Sequence, residues 1–126
     1  MVPAEVVASG DLVIFVVEDE VLIRISVCDF LRNEGFSVIE AGNAREALSV
    51  LRAYGNVVLV LTDINMSGAM EGLDLIRKIR ESYPAIKVIT ASAYRINEPV
   101  EAAILKPYSL ESLRAVIKSV LGRQGT

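Results

Sequence analysis

Residues Val57–Asp63 read VVLVLTD, an apolar run closed by a single carboxylate. A short, continuous apolar run of this kind reads as a strand buried on both faces, at the centre of a parallel sheet. In open parallel α/β sheets, ligands bind in the crevice outside the carboxyl ends of the strands. Asp63 is therefore expected at a working edge of the molecule. Residues 12–17, LVIFVV, repeat the design, and Glu18, Asp19 and Glu20 follow at once.

The other elements follow by working outward from these two strands. Val21–Asn33 has helical length and Gly35 as a stop, although its apolar residues spread around the helix. Ser37–Ala41 reads as a strand. Asn43 and Glu46 form a capping-box pattern ahead of a helix facing inward through Ala44, Leu48 and Leu51. After the loop 64–72, Leu73, Ile76, Ile79 and Tyr83 recur at helical spacing and end at Pro84. Lys87–Ser92 reads as a fourth strand. Residues 93–102 allow about one turn of helix, residues 103–105 a short fifth strand. Ser109 caps a last helix with Leu110, Leu113, Ile117 and Leu121 on its face. Alternating strands and helices predict an α/β fold, a flavodoxin-like three-layer sandwich. Its five-stranded parallel sheet has the order 2-1-3-4-5, with the fourth helix short or absent.

Composition narrows the functions open to this fold. The chain has 126 residues, 52% of them hydrophobic, enough for one well-filled domain. Residues 1–11 read as a leader, 12–122 as the domain and 123–126 as a tail, with no room for an output domain after Gly122. The single cysteine, Cys28, reads as a buried structural thiol in a reducing, cytoplasmic protein. With no histidine and no cysteine cluster, the usual zinc sites and Ser-His or Cys-His catalysis are excluded. A net charge of −3 argues against direct nucleic-acid binding. Charges interrupt every apolar stretch, so no membrane span is expected.

The predicted strand order brings Glu18, Asp19 and Asp63 together. Three adjacent carboxylates repel one another unless a cation shares the site, and Mg²⁺, or another divalent cation, suits oxygen ligands and phosphate chemistry. Ser92 and Lys106 reach the same rim from strands 4 and 5, and a cis Lys106-Pro107 bond would aim the lysine inward. A cation, an ammonium and a hydroxyl around one carboxylate suit phosphoryl transfer onto Asp63. Mg²⁺ would bind through Asp19, Asp63 and the backbone carbonyl of Asn65, with Glu18 direct or through water. Lys106 and Ser92 would hold phosphoryl oxygens.

VVEDE, LTDINM with a downstream EGL, ITASA and LKPY together resemble the receiver domain of two-component response regulators, over residues 12–121. The resemblance implies that Glu18 and Asp19 are the acidic pair, Asp63 the phosphoacceptor, Ser92 the switch hydroxyl and Lys106 the family's lysine. It implies a sensor histidine kinase or phosphotransfer protein as donor, and a downstream protein target whose identity is unknown. The chain would be a monomer or weak dimer, and no enzyme beyond its own phosphorylation and dephosphorylation. Two other readings compete. One is a degenerate receiver acting as a constitutive interaction module. The other is a small Mg²⁺-dependent aspartyl-phosphate hydrolase, which would want an acid where Asn65 stands.

The chain departs from the family pattern in several places. Met66-Ser67 replaces Met-Pro, the loop to Gly72 is one residue longer, and Glu71 stands where Asp is usual. Only thirteen residues separate Ser92 from Lys106, and Ala103 replaces the aromatic partner of the switch hydroxyl. Tyr94 and Tyr108 are nearby aromatics that could take that role. Output is therefore expected through the segment 92–102 or another face. Thr90 would exchange with Ser92 on a register slip. Arg77, Lys78 and Arg80 read as a solvated basic face.

Overall fold

The computed structural model describes residues 12–64 and 72–122. Its elements are β1 (Val13–Val17), α1 (Val21–Asn33), β2 (Ser37–Ala41), α2 (Ala44–Ala53), β3 (Val57–Asp63), α3 (Gly72–Ser82), β4 (Lys87–Ser92), β5 (Ala102–Leu105) and α4 (Leu110–Gly122). The strands form one parallel sheet in the order β2-β1-β3-β4-β5, the flavodoxin-like order expected.

Burial on both faces explains the unbroken apolar runs. Along β1 all five residues are buried, and alternate side chains enter two separate cores. Val13, Phe15 and Val17 pack with Ala47 and Leu51 of α2 and with Leu75, Ile76 and Ile79 of α3. Ile14 and Val16 pack on the other face with Val27, Cys28 and Leu31 of α1 and with Leu113 and Ile117 of α4. Cys28 is a fully buried free thiol, and burial pushes its pKa up to about 12, so it is an inert packing residue.

The helix ends follow local chemistry. Asn43 accepts the Glu46 amide at 2.8 Å, and the Glu46 carboxylate reaches back to the Gly42 amide at 2.6 Å, one residue earlier than in the standard box. At the end of α1, Gly35 takes φ +97° while its amide reaches Arg32 and that of Phe36 reaches Leu31. This is a Schellman ending, which glycine enters without the Cβ penalty. The poor periodicity of α1 has a simple cause: Val21, Leu22 and Ile25 lie on its exposed side.

No helix lies between β4 and β5. Nine residues, 93–101, make the crossing, fewer than the dozen or more that a helical crossover needs. Ile96 and Val100 pack directly against the core beside α3. β5 begins at Ala102, one residue earlier than expected. Arg77 and Lys78 are exposed, as a solvated basic face requires, but Arg80 is half-buried. Arg77 and Arg80 do more than meet solvent. Arg77 pairs with Glu98 at 3.0 Å, and Arg80 pairs with Glu101 at 2.7 Å and donates to the Pro99 carbonyl at 2.9 Å. Periodicity cannot reveal such pairs, because they join residues about twenty positions apart. The expected leader 1–11, tail 123–126 and loop residues Asn65, Met66, Ser67 and Glu71 lie outside the described residues.

Candidate functional site: a carboxylate cluster at the strand ends

The site forms where β1 and β3 end side by side. Their pairing runs to Val17 opposite Thr62, so Glu18 and Asp63 emerge together. The Glu18 amide donates to the Ala41 carbonyl of β2, which fixes where the acidic pair leaves the sheet. Carboxylate oxygens of Glu18, Asp19 and Asp63 all lie within 4.8 Å of one another, with Glu18 and Asp63 buried and Asp19 half-buried. An octahedral Mg²⁺ with bonds of about 2.1 Å separates opposite ligands by about 4 Å. These oxygens lie up to a little wider than that, so small side-chain rotations would bring them onto a hard divalent cation. The proposed fourth donor, the Asn65 carbonyl, lies outside the described residues.

Lys106 completes the cluster. Its Nζ is 3.0 Å from Asp63 Oδ1 and 3.9 Å from Glu18 Oε1. The Lys106-Pro107 bond is cis, and the Lys106 amide donates to the Ser92 carbonyl at 2.7 Å, tying β5 to the end of β4. Burial works against the ammonium, but its bond to Asp63 and the charges of Asp63 and Glu18 outweigh burial and hold its pKa above the ordinary value. The lysine is charged at any physiological pH.

Glu18 behaves differently from an exposed carboxylate. Burial, with the Asp63 charge adding to it, pushes its pKa from 4.5 up to about 7; the Glu20 amide and Lys106 only partly oppose this. The folded value lies above the unfolded one. The stability linked to the protonated carboxyl is therefore full below pH 4.5 and is lost as pH rises through about 7. A bound cation takes the ionised form, so it reverses this trend. The cation-free chain is expected to lose thermal stability across that window, with added Mg²⁺ raising the melting temperature most at its upper end. Melting curves across pH check this, and a larger Mg²⁺ effect on the acid side would contradict it.

Ser92 stands at the end of β4, where Asp63 pairs with the neighbouring Ala91. It is buried, and its hydroxyl donates to the backbone carbonyl of Tyr94. Thr90, the register alternative, is fully buried one pleat further inside, with its hydroxyl unpartnered. Tyr108 is half-buried beside Glu18 and Asp63. Burial first, then those two charges, push its phenol up to about 12, so it stays neutral. The side chain of Tyr94 is exposed.

The sequence reading missed Arg24. Its Nη1 donates to the Glu18 carbonyl at 2.7 Å and its Nε pairs with Glu40 at 3.2 Å, which pins the backbone of the acidic pair to β2. The one sequence signal was an arginine one turn into a helix that follows three acids.

Five parallel strands carrying a carboxylate cluster and a lysine at one rim define a receiver-type α/β domain. Residues 14–118 match the response regulator receiver domain family, and the chain belongs to it. It is 34% identical over 125 residues to the sensor kinase CckA of Brucella abortus, covering 92% of this chain and 13% of that protein. It is 28% identical over 116 residues to sporulation initiation phosphotransferase F of Bacillus subtilis, covering 86% of this chain and 92% of that one. The crystal structure of a CheY-like receiver domain protein from Methanospirillum hungatei superposes with a TM-score of 0.84 at 29% identity, covering 92% of this chain and 98% of that one. The chain thus spans a small part of some relatives and nearly all of others. Among the described residues, no helix is long and apolar enough to cross a membrane.

Proposed function

We propose that this receiver domain accepts a phosphoryl group on Asp63 and signals by changing its affinity for a protein partner. The observation that supports this best is the grouping of Glu18, Asp19 and Asp63 within 4.8 Å with Lys106 Nζ 3.0 Å from Asp63. A carboxylate oxygen of Asp63 attacks phosphorus in line, forming an acyl phosphate as the bond to the donor breaks. From a phosphohistidine, the electron pair leaves with the imidazole nitrogen, which takes up a proton. Glu18, Asp19 and Asp63, with the Asn65 carbonyl as a further donor, would hold Mg²⁺, which would neutralise charge on the transferring group. Lys106 Nζ lies within reach of Asp63 and offers its hydrogens to a phosphoryl oxygen as charge builds there. The Ser92 hydroxyl does the same once it turns from the Tyr94 carbonyl.

The donor in this reading is a sensor histidine kinase or phosphotransfer protein, and the chain works in the cytoplasm. It catalyses only its own phosphorylation and dephosphorylation. A protein donor is supported by the surface beside Lys106. There, Leu22, Ile23 and Val27 of α1, with Pro107, Tyr108 and Leu110, line a groove of about 380 Å³. Leu22 at its rim is exposed together with Val21 and Ile25, and contiguous exposed apolar residues mark protein contact surfaces.

Intact-protein mass after incubation with a small acyl-phosphate donor tests the proposal. The expected result is a gain of one phosphoryl group that requires Mg²⁺ and disappears in Asp63→Asn. Equal labelling of wild type and Asp63→Asn would overturn it.

A further inference from the structure

Glu18 is held by its amide, its carboxylate and its carbonyl, each through a different neighbour. The amide donates to the Ala41 carbonyl of β2 at 3.0 Å. The carboxylate accepts the Glu20 amide at 3.1 Å. The carbonyl accepts Nη1 of Arg24 at 2.7 Å. That last bond bears on Asp19 as well. The Glu18 carbonyl and the Asp19 amide belong to one planar peptide unit, so fixing the carbonyl fixes the plane from which Asp19 continues.

Arg24 is itself held from β2. Its Nε donates to Glu40 Oε1 at 3.2 Å. The other oxygen of Glu40 accepts Arg32 Nη2 at 3.3 Å, and Arg32 Nη2 also donates to the Val38 carbonyl at 2.9 Å. All three side chains are half-buried, so this network is shielded better than an isolated surface pair, which is worth little. A guanidinium presents its N–H groups in a rigid planar fork, so an Nε fixed on Glu40 dictates where Nη1 points. Gly42 leaves the room for it: an added Cβ there would stand 3.0 Å from Nη1. The carboxylates grouped for a cation are Glu18, Asp19 and Asp63. Glu40 therefore reaches that site only through Arg24.

Resting on the Mg²⁺ site of the function proposed above, we infer that Arg24 and Glu40 are positioning residues for the acidic pair. Glu40 orients the Arg24 guanidinium, and Arg24 sets the Glu18–Asp19 peptide so that both carboxylates meet Asp63. Arg32 steadies Glu40. Cation affinity in this chain is thus set in part from the edge strand β2, by side chains that never touch the cation. Groups that orient metal ligands are commonly worth about ten- to a hundredfold in affinity.

Mg²⁺ titration of the full, unphosphorylated chain, followed by backbone amide NMR at Glu18, Asp19 and Asp63, tests this. Glu40→Ala should weaken Mg²⁺ binding by about tenfold. Arg24→Lys should weaken it as much, because an ammonium keeps the charge but lacks the fork. Glu40→Gln should keep most of the affinity, since its amide oxygen still accepts from Arg24 Nε. Before any Mg²⁺ is added, the Asp19 amide signal should already move in Glu40→Ala while that of Asp63 stays. Ile39→Val is the control for lost stability alone, because Ile39 is buried in the core beside α2 and α3, and its Mg²⁺ affinity should match wild type. A folded Glu40→Ala or Arg24→Lys chain with wild-type affinity would overturn the inference, as would Ile39→Val weakening binding as much as Glu40→Ala. Should Glu40→Ala fail to fold, Glu40→Gln against Arg24→Lys decides, and equal affinities in those two would overturn it. A wild-type chain that binds no Mg²⁺ would overturn the function beneath the inference along with it. A chain that shows the expected affinities but takes up no phosphoryl group would overturn that function alone.

Discussion

Lys106→Ala is expected to slow phosphoryl uptake from a small acyl-phosphate donor by a factor on the order of a hundred to a thousand, the usual loss when one transition-state donor is removed. The physical reason lies in what the ammonium does before and during transfer. Its 3.0 Å contact with Asp63 Oδ1 offsets the repulsion among three clustered carboxylates. In the proposed transfer it would meet the negative charge spreading over the phosphoryl oxygens. Removing it also lets the Glu18 pKa rise further, because the lysine charge is one of the influences now lowering it. The variant should therefore need a higher pH to bind Mg²⁺ as well as react more slowly. A urea midpoint separates this from unfolding: the slowing should persist where the variant is fully folded. A folded Lys106→Ala chain that reacts at the wild-type rate would contradict the assigned role.

Gly72→Ala should be the most disruptive glycine-to-alanine change among the described residues, costing about 3 kcal/mol. Gly72 opens α3 and is buried against the end of β3. An added Cβ would lie 2.8 Å from both Cα and O of Ile64 and 2.9 Å from the Asp63 carbonyl oxygen. Those are backbone atoms, which cannot swing aside as a side chain can. The ordinary helical advantage of alanine over glycine, about 1 kcal/mol, is too small to compensate. One of the two carbonyls under strain belongs to Asp63, so the variant should also lose phosphoryl uptake beyond its loss of stability. Gly122→Ala is the control, since a Cβ there meets nothing within 4 Å. Chemical denaturation of the two variants checks the contrast, and equal stabilities would refute it.

The same geometry shows which parts of the molecule a linear reading can reach. VVLVLTD maps onto β3 residue for residue, because two-sided burial writes itself as an unbroken apolar run. The capping pair Asn43 and Glu46 and the stop at Gly35 were legible because they act within a few residues. Glu18, Asp63, Ser92 and Lys106 could be placed at one rim because parallel strands end in register. The functional role of each remains what the mass and NMR experiments address. α1 was harder to read, since Val21, Leu22 and Ile25 are apolar and exposed, which blurs its periodicity. Arg24, Arg77 and Arg80 were out of reach for a different reason. Their partners are a backbone carbonyl and distant carboxylates, and neither leaves a periodic trace.

The short connection after β4 also explains why the substitution of Ala103 for the usual aromatic does no harm to packing. Ala103 is exposed on β5, and no helix lies between β4 and β5 to cover it. An aromatic ring there would have no wall to move against. Tyr108 is the aromatic that lies beside Glu18 and Asp63, and it stands after Lys106 instead of before it.

Chemical mapping of the acceptor tests the central claim most directly. The chain is treated with a small acyl-phosphate donor and Mg²⁺, reduced with borohydride to trap any acyl phosphate as an alcohol, and digested for peptide mass analysis. The account predicts one reduced residue, Asp63, with Glu18 and Asp19 unchanged. Reduction at Glu18 or Asp19 instead, or a chain that gains a phosphoryl group with Asp63 intact, would contradict it.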